Sequence, residues 1–325
     1  MSEGALASSE CALPSQNVLD RQFVFIIGAP RSGTTWLQTM LGGHDQVCTS
    51  VEMTLFDCYL SPWFRRWNEE AAAIRDGRWH QGLPVVWSRD DLDDFIRDFL
   101  AKVYGRILAT KPQATHLLDK QPMYALYVAE IDRLLPFARF IHLVRDGRDV
   151  AASMIAAHKS MGFGTGTVAA SAAEWRRLVE AARTAARFHD RYLEVRYEEL
   201  SANTAQSLAK VFDFLKVPCD SRFIERLVSE NGFEVMKAAG KTAVAELQAP
   251  TAHFRKGRVG SWREDFTAFE RFEFERQAGP LLRELGYAGE QWWIEKAVDR
   301  VCVRIGRLAS AAGRLRRRML GVLAR

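Results

Sequence analysis

The sequence predicts an α/β fold of three layers, in which a central parallel sheet is flanked by helices on both faces. Residues 23–27 and 139–144 are runs of mainly apolar, β-favouring residues, as expected of strands that are buried on both faces. Each run is followed by a turn and then by residues with helical spacing. This alternation is typical of parallel strands that are joined by helical crossovers.

Further elements follow in the same alternating order. Helices are predicted over 34–41, 90–103, 149–157, 174–191, 205–215 and 221–231, and a short strand over 192–195. Thr267 and Glu270 form a capping-box pattern that begins a helix towards Leu285. The chain therefore divides into a flexible tail at 1–20, one main domain at 21–290, and a basic amphipathic extension at 291–325.

Composition limits the classes of function. The chain has 325 residues, 48% of them hydrophobic, and a formal charge of +5. This mild basicity suits an anionic ligand and is too weak to indicate a nucleic-acid partner. The five cysteines show no metal-ligand spacing, so we expect no metal site. The N-terminus lacks the pattern of a signal peptide and no stretch has the length of a membrane span, which predicts a cytoplasmic protein.

A glycine-rich loop is predicted between the first strand and the first helix. Residues 28–35 read Gly-Ala-Pro-Arg-Ser-Gly-Thr-Thr, which has the layout of a P-loop. Its backbone N–H groups and the start of the helix would surround a phosphate. Nucleoside triphosphatases place Lys-Ser/Thr after the second glycine, whereas this chain has Thr34-Thr35 there and carries its cation, Arg31, inside the loop. A structural turn without a ligand is the alternative interpretation.

The loop together with Trp36 resembles the 5'-phosphosulfate loop of sulfotransferases that use 3'-phosphoadenosine 5'-phosphosulfate (PAPS). An arginine at position 31 is similar to the bacterial and tyrosylprotein-type branch of that family. The resemblance implies that Arg31 contacts the phosphosulfate and that Trp36 lies beside the adenine. The loop residues that it assigns to the donor are Arg31, Ser32, Gly33, Thr34, Thr35 and Trp36.

Two further segments resemble the sites for the donor's 3'-phosphate and adenine. Arg145 and Ser153 have the spacing of the family's arginine–serine pair, although the Arg-Asp-Gly-Arg-Asp turn alone would be an ordinary charged turn. Residues 254–263 resemble the family's C-terminal Arg-Lys-Gly-x-x-Gly-x-Trp-Lys motif, in which Trp262 would pack under the loop. The remaining donor contacts that the resemblance implies are Arg145, Ser153, Tyr197, Phe233, Arg255, Lys256 and Gly257.

The resemblance leaves two candidates for the general base. Glu52 matches the placement of a catalytic glutamate in tyrosylprotein-type members, and His116 lies in the Thr-His-Leu context of cytosolic members. The segment 119–122 resembles a Glu/Asp-Lys-x-Pro motif that would place Lys120 at the sulfonate, and this branch favours Glu52. Arg31 would supply charge to the transferred group without a metal.

The resemblance implies transfer of a sulfuryl group from PAPS to a hydroxyl or amine. The acceptor could be a small molecule, a carbohydrate, a lipid-linked molecule or a peptide. A P-loop kinase or nucleoside triphosphatase and a non-catalytic nucleotide sensor are the rival hypotheses. The basic extension at 291–325 could hold the protein peripherally on an anionic membrane surface, or it could be a solvated helix.

Overall fold

Five parallel strands form the centre of the computed structural model, which describes residues 18–232, 235–236, 257–294, 301, 303–306 and 308. The strand order across the sheet is β2-β3-β1-β4-β5. Every neighbouring pair is parallel. The strands are β1 Gln22–Gly28, β2 Val47–Thr49, β3 His116–Lys120, β4 Arg139–Val144 and β5 Tyr192–Arg196.

The central strand β1 contributes to two separate hydrophobic cores. Phe23, Phe25 and Ile27 lie in one core, and Val24 and Ile26 lie in the other. This division follows from the alternation of side chains along a strand, and it shows that helices cover both faces of the sheet. The predicted three-layer α/β fold with a parallel sheet is confirmed.

The helices connect the strands and cover both faces. They are α1 Thr34–Gly42, α2 Ser61–Arg75, α3 Arg89–Leu108, α4 Val128–Leu134, α5 Gly147–Met161, α6 Val168–Arg183, α7 Tyr197–Ala202, α8 Thr204–Leu215, α9 Ser221–Glu230, α10 Trp262–Asp265 and α11 Ala268–Glu284. The predicted capping box is confirmed, since the Thr267 hydroxyl accepts from the Glu270 N–H and the Glu270 carboxylate accepts from the Thr267 N–H.

Several predicted helices have the wrong bounds: that over 90–103 is Arg89–Leu108, and that over 149–157 is Gly147–Met161. The largest difference is at 174–191. The helix expected over 174–191 begins earlier, at Val168, where the Thr167 side chain caps it, and it ends at Arg183. Residues Thr184–Arg191 form a tighter 3-10 turn in which His189 has a φ of 49°. The apolar spacing of this stretch therefore predicts the helix and misplaces both ends.

The packed body continues past residue 290, the predicted end of the main domain. The Trp292 indole donates to Glu275 and lies at right angles to the Trp262 ring, with 5.4 Å between the ring centroids. Val303 is buried. Residues 295–300, 302, 307 and 309–325 of the basic extension, and residues 1–17 of the predicted tail, lie outside the described residues.

Candidate active site

Most of the predicted site residues that the structure describes converge at one edge of the sheet, and His116 is the exception. Because all five strands are parallel, their carboxyl ends lie on the same side, where ligands of open α/β sheets bind. Arg31 follows β1, Glu52 follows β2, Lys120 ends β3, Arg145 follows β4, and Tyr197 follows β5. Arg31, Glu52, Arg145 and Tyr197, which are far apart in sequence, thus line one cavity.

The loop between β1 and α1 turns sharply at three positive-φ positions. Gly28, Arg31 and Gly33 have φ values of 144°, 70° and 94°. A Cβ at Gly28 would lie 2.6 Å from a backbone oxygen of the neighbouring strand. A larger residue at this position would therefore clash with that strand. The Ser32 hydroxyl is buried and has no hydrogen-bond partner among the described residues. An unpaired buried hydroxyl in such a loop fits an anionic ligand group.

Arg31, within the loop, and Arg145, which follows β4, are both held by hydrogen bonds. The Arg31 Nε donates to the Ser153 hydroxyl at 3.1 Å. The Arg145 guanidinium donates to the Arg31 carbonyl and to the Arg258 carbonyl, each at 3.2 Å. The buried Arg145 Nε has no partner within the described part of the chain. The arginine–serine pair predicted for a phosphate therefore lies directly against the predicted phosphate loop.

The Tyr197 ring packs against the loop and against Arg145. A Cβ at Gly33 would lie 2.6 Å from the Tyr197 ring, and the Arg145 guanidinium lies 4.1 Å from the centroid of that ring. The Tyr197 hydroxyl donates to the Gly257 carbonyl at 2.7 Å. The Trp36 ring packs edge-on against Tyr197, and its indole N–H donates to the Asn231 carbonyl. Both rings are nearly buried, and both line the cavity.

Lys120 joins the loop to the candidate base. Its ammonium donates to the Thr35 hydroxyl at 3.1 Å and forms an ion pair with the Glu52 carboxylate. Burial lowers the pKa of Lys120, whereas the negative charge of Glu52 opposes this shift, and the positive charge of Arg31 adds to it. The site therefore keeps a cation out of water beside a carboxylate that is itself accessible from the cavity.

His116 is not part of this site, and its assignment as a candidate base is wrong. It begins β3 and pairs with Gln22 at the start of β1, so it lies at the amino edge of the sheet. Lys120 is four residues further along the strand, a distance of about 13 Å. The His116 ring nitrogens bond to Thr115 and to the Leu215 carbonyl, and burial lowers its pKa.

The predicted C-terminal motif is only partly visible. Arg255 and Lys256 of this motif lie outside the described residues, and so does Phe233 of the separate segment 232–237. Gly257 is described, has a φ of 59°, and lines the cavity. Trp262 is buried against the Arg148 guanidinium, as expected for a packing residue.

Asp149 and Phe163 are two of the site residues that were not predicted. The Asp149 carboxylate accepts hydrogen bonds from residues 260–262, a contact over more than a hundred positions that the local sequence does not indicate. Phe163, in the glycine-rich connection between α5 and α6, places its ring 5.9 Å from the Arg31 guanidinium carbon. The glycines at positions 162, 164 and 166 were the available signal for that connection.

The cavity has a volume of about 470 Å³, and its lining residues are of two chemical kinds. The polar part of the lining includes the loop, Arg145, Ser153 and Tyr197, together with Glu52. The largely apolar part includes Pro122, Met123, Met154, Phe163, Gly164 and Thr165. Within the described ranges, no group of three or more His, Cys, Asp or Glu side chains is placed to hold a metal ion.

The fold and the site define an α/β protein of the P-loop type, with a cationic pocket at the carboxyl edge of its sheet. The profile of the sulfotransferase family matches residues 23–221, more than half of the chain, and the chain belongs to this family. The residues at the carboxyl edge from Arg31 to Tyr197 lie within the matched range.

The chain is also similar to known sulfotransferases in sequence and in fold. Protein-tyrosine sulfotransferase 1 of Danio rerio is 28% identical over 218 residues, which cover 66% of this chain and 59% of that protein. The chain thus spans less than two thirds of that relative. A mouse sulfotransferase complexed with PAP has a TM-score of 0.51 at 17% identity, over 90% of this chain and 94% of the mouse chain. A sulfotransferase domain from the curacin biosynthetic pathway has a TM-score of 0.50 at 21% identity, over 80% and 97%.

The expectation of a cytoplasmic protein is contradicted. The relatives include protein-tyrosine sulfotransferases of Danio rerio, Gallus gallus and Homo sapiens, which are Golgi membrane enzymes. None of the helices in the described part of the chain combines the length and apolar character needed to cross a bilayer.

Proposed function

We propose that this protein is a sulfotransferase that uses PAPS as donor and a hydroxyl or amine as acceptor. The observation that carries the proposal is the convergence of three groups on one cavity: the loop with its unpaired Ser32 hydroxyl, the Arg145–Ser153 pair, and the Lys120–Glu52 pair. Family membership and the fold shared with a PAP-bound mouse sulfotransferase support it.

The loop and its neighbours would bind the two anionic ends of the donor. Backbone N–H groups of the loop, the start of α1 and the Arg31 guanidinium suit the 5'-phosphosulfate. Arg145 and Ser153 suit the 3'-phosphate, together with the predicted Arg255 and Lys256. When bound, PAPS supplies the sulfuryl group and leaves as adenosine 3',5'-bisphosphate.

Glu52 and Lys120 would act on the two sides of the transferred group. Glu52 accepts the proton of the acceptor hydroxyl while the acceptor oxygen bonds to sulfur and the bond from sulfur to the bridging oxygen breaks. Lys120 stabilises the charge that develops on the bridging oxygen, in a loose in-line transition state like that of phosphoryl transfer. The ammonium is effective because it is already desolvated and fixed by Thr35.

The apolar lining residues support an acceptor whose hydroxyl is attached to an apolar or aromatic frame. Pro122, Met123, Met154 and Phe163 offer a surface for a ring, and thioether and aromatic contacts suit a phenol. A small phenol and a tyrosine side chain both meet this requirement. Carbohydrate and lipid-linked acceptors belong in the same screen as tests of this preference.

The first test is calorimetric titration of the protein with adenosine 3',5'-bisphosphate, and separately with ATP and Mg²⁺. We expect metal-independent binding of the bisphosphate that weakens at least about tenfold in Arg145→Gln, because a charge-assisted contact is lost. Arg176→Gln is the matched control, since Arg176 is exposed on α6 and has only a 4.0 Å ion pair. Binding of ATP with Mg²⁺, without binding of the bisphosphate, would support the rival hypothesis of a P-loop kinase or nucleoside triphosphatase.

The second test is transfer of labelled sulfate from PAPS to a panel consisting of a 4-alkylphenol, a tyrosyl peptide, a sugar and an amine. We expect transfer to the phenolic acceptors. Bisphosphate binding without transfer to any acceptor would support the rival hypothesis of a nucleotide sensor.

A further inference from the structure

The candidate base Glu52 lies in a short backbone connection between β2 and a π-helix at Leu55–Leu60. We call residues 50–54 the base connection. Its first residue is fixed, because the Gln38 side chain donates to the Ser50 carbonyl at 2.7 Å. Further along, the exposed Glu52 carboxylate forms its ion pair with Lys120. The position of Glu52 at the cavity therefore also depends on how the far end of the base connection is held.

The far end of the base connection has an unfavourable backbone conformation. Thr54 has a φ of 50° and a ψ of 27°, which is the left-handed region that β-branched residues avoid. Such a conformation persists only when the surrounding structure holds it in place. The next residue, Leu55, begins the π-helix, and the first N–H groups of a helix need partners from outside it. An anchor at the Leu55 N–H would meet both requirements.

The Tyr124 hydroxyl provides this anchor. It accepts a hydrogen bond from the Leu55 N–H at 2.7 Å, and both residues are buried. The Tyr124 ring is itself fixed by the rings of Phe25 and Phe56, whose centroids lie 6.0 and 5.1 Å from its own. A buried N–H group that loses its partner is costly, so the bond ties the base connection firmly to the core.

Tyr124 also belongs to the segment that supplies the other member of the ion pair. It lies in the 3-10 helix Pro122–Tyr127, which follows Lys120 closely in the chain. Burial raises the pKa of the neighbouring Asp119, and the Tyr104 and Tyr124 hydroxyls lower it. Among the residues that the structure describes, the Tyr104 hydroxyl bonds only to Asp119, at 2.8 Å. Of these two buried tyrosines, Tyr124 is therefore the one that joins β3 to the base connection.

We propose that Tyr124 is a positioning residue, which holds the base connection at Leu55 so that Glu52 meets the acceptor hydroxyl beside Lys120. This inference rests on the proposed function, in which Glu52 is the general base. Tyr124 is fully buried and acts through the backbone of Leu55. Its loss therefore affects the chemical step and leaves donor binding unchanged.

The test is a double-mutant cycle in the full-length protein between Tyr124→Phe and Glu52→Gln. Phe keeps the ring and its packing and removes only the hydroxyl. We expect Tyr124→Phe to lower kcat for transfer from PAPS to a 4-alkylphenol at least about fivefold, because the base is displaced. In Glu52→Gln the base is already absent, so adding Tyr124→Phe should change the residual kcat by less than about twofold. Bisphosphate affinity should change by less than about threefold in both backgrounds.

Tyr104→Phe is the matched control. It also removes a buried hydroxyl beside Asp119, but it keeps the bond to Leu55. We expect its kcat to stay within about twofold of the unsubstituted value. Hydrogen exchange gives a second readout, in which the Leu55 amide should exchange at least about tenfold faster in Tyr124→Phe and not in Tyr104→Phe.

The unsubstituted protein provides a check that does not depend on how well a variant folds. Its Leu55 amide should exchange at least about a hundredfold more slowly than that of the exposed Val51. Equal exchange rates at these two amides would overturn the anchor.

The positioning role would also be overturned if Tyr124→Phe lowered kcat equally in both backgrounds, or no more than Tyr104→Phe does. The proposed function fails in a different way. If the unsubstituted protein transferred no sulfuryl group, or Glu52→Gln kept an unchanged kcat, the proposed reaction or its base would be refuted, and this inference with it.

Discussion

Lys120 and Glu52 form an ion pair whose two members are unequally buried. The Lys120 side chain is 3% exposed and the Glu52 side chain is 42% exposed. Burial lowers the pKa of the ammonium, and the adjacent carboxylate counteracts this shift. The pair thus presents an accessible carboxylate to the cavity while a charged ammonium stays next to Thr35 of the phosphate loop.

Glu52→Gln is expected to lower kcat by about 10²- to 10⁴-fold, because an amide cannot accept the acceptor's proton. The affinity for adenosine 3',5'-bisphosphate should change by less than about threefold, since Glu52 lies on the acceptor side. Steady-state transfer kinetics and calorimetry measure the two quantities. Glu69→Gln, at an exposed position on α2, is the matched control. An unchanged kcat in Glu52→Gln would show that Glu52 is not the general base.

Lys120→Met is expected to reduce transfer by about 10²- to 10³-fold, through loss of the cation at the bridging oxygen. Its free energy of unfolding should stay the same or rise, because an apolar side chain of similar length replaces a buried charge and the exposed Glu52 partner can be hydrated. Activity assays and urea unfolding test both statements. A large loss of stability would show that the pair is mainly structural.

The loop and the fold could be predicted because their signals are local. Residues 23–27 are an uninterrupted apolar run beside a glycine-rich turn, and this pattern is sufficient to indicate a buried strand and a phosphate loop. The strand β3 gives no such signal, since His116, Asp119 and Lys120 interrupt its apolar character. Those polar residues are buried by tertiary contacts, which a periodicity analysis does not represent.

The assignment of His116 failed for a related reason. Its three-residue context is local, whereas its distance from the loop depends on the register of β3 against β1. The contacts of Asp149 and the packing of Tyr197 against Gly33 also depend on how distant segments meet. Such relationships between elements follow from the folded topology, and a single sequence contains no direct signal for them.

Gly33→Ala is expected to lower bisphosphate affinity at least about tenfold, since the new Cβ would push Tyr197 away from the loop and disturb its bond to Gly257. Gly77→Ala is the matched control. Gly77 also has positive φ, at 69°, but a Cβ there would meet nothing within 4 Å. Both variants should lose about 1 to 2 kcal/mol of stability from backbone strain, and only Gly33→Ala should also lose binding.

Calorimetry and thermal unfolding of the two variants separate these effects. If Gly77→Ala lost as much affinity as Gly33→Ala, general destabilisation would explain the result. If neither variant lost affinity, the loop would not depend on its contact with Tyr197.

Asp119 should make stability depend on pH. Burial raises its pKa from 3.8 to about 6, although the Tyr104 hydroxyl, which donates to Oδ2 at 2.8 Å, works in the opposite direction. The folded protein therefore binds this proton more tightly than the unfolded chain does. Ionisation of the buried carboxyl therefore lowers the free energy of unfolding. This destabilisation is fully present above pH 6, decreases as the pH falls, and is absent below about pH 4.

Asp119→Asn removes this titration while keeping an acceptor for Tyr104. We expect it to raise the free energy of unfolding by up to about 3 kcal/mol at pH 7.5, with a gain that shrinks towards zero near pH 4. Urea unfolding followed by tryptophan fluorescence at pH 7.5, 6 and 4 measures the change. Asp190→Asn, at an exposed position, should show no such trend. The same gain at every pH would mean that packing, and not ionisation of Asp119, is responsible.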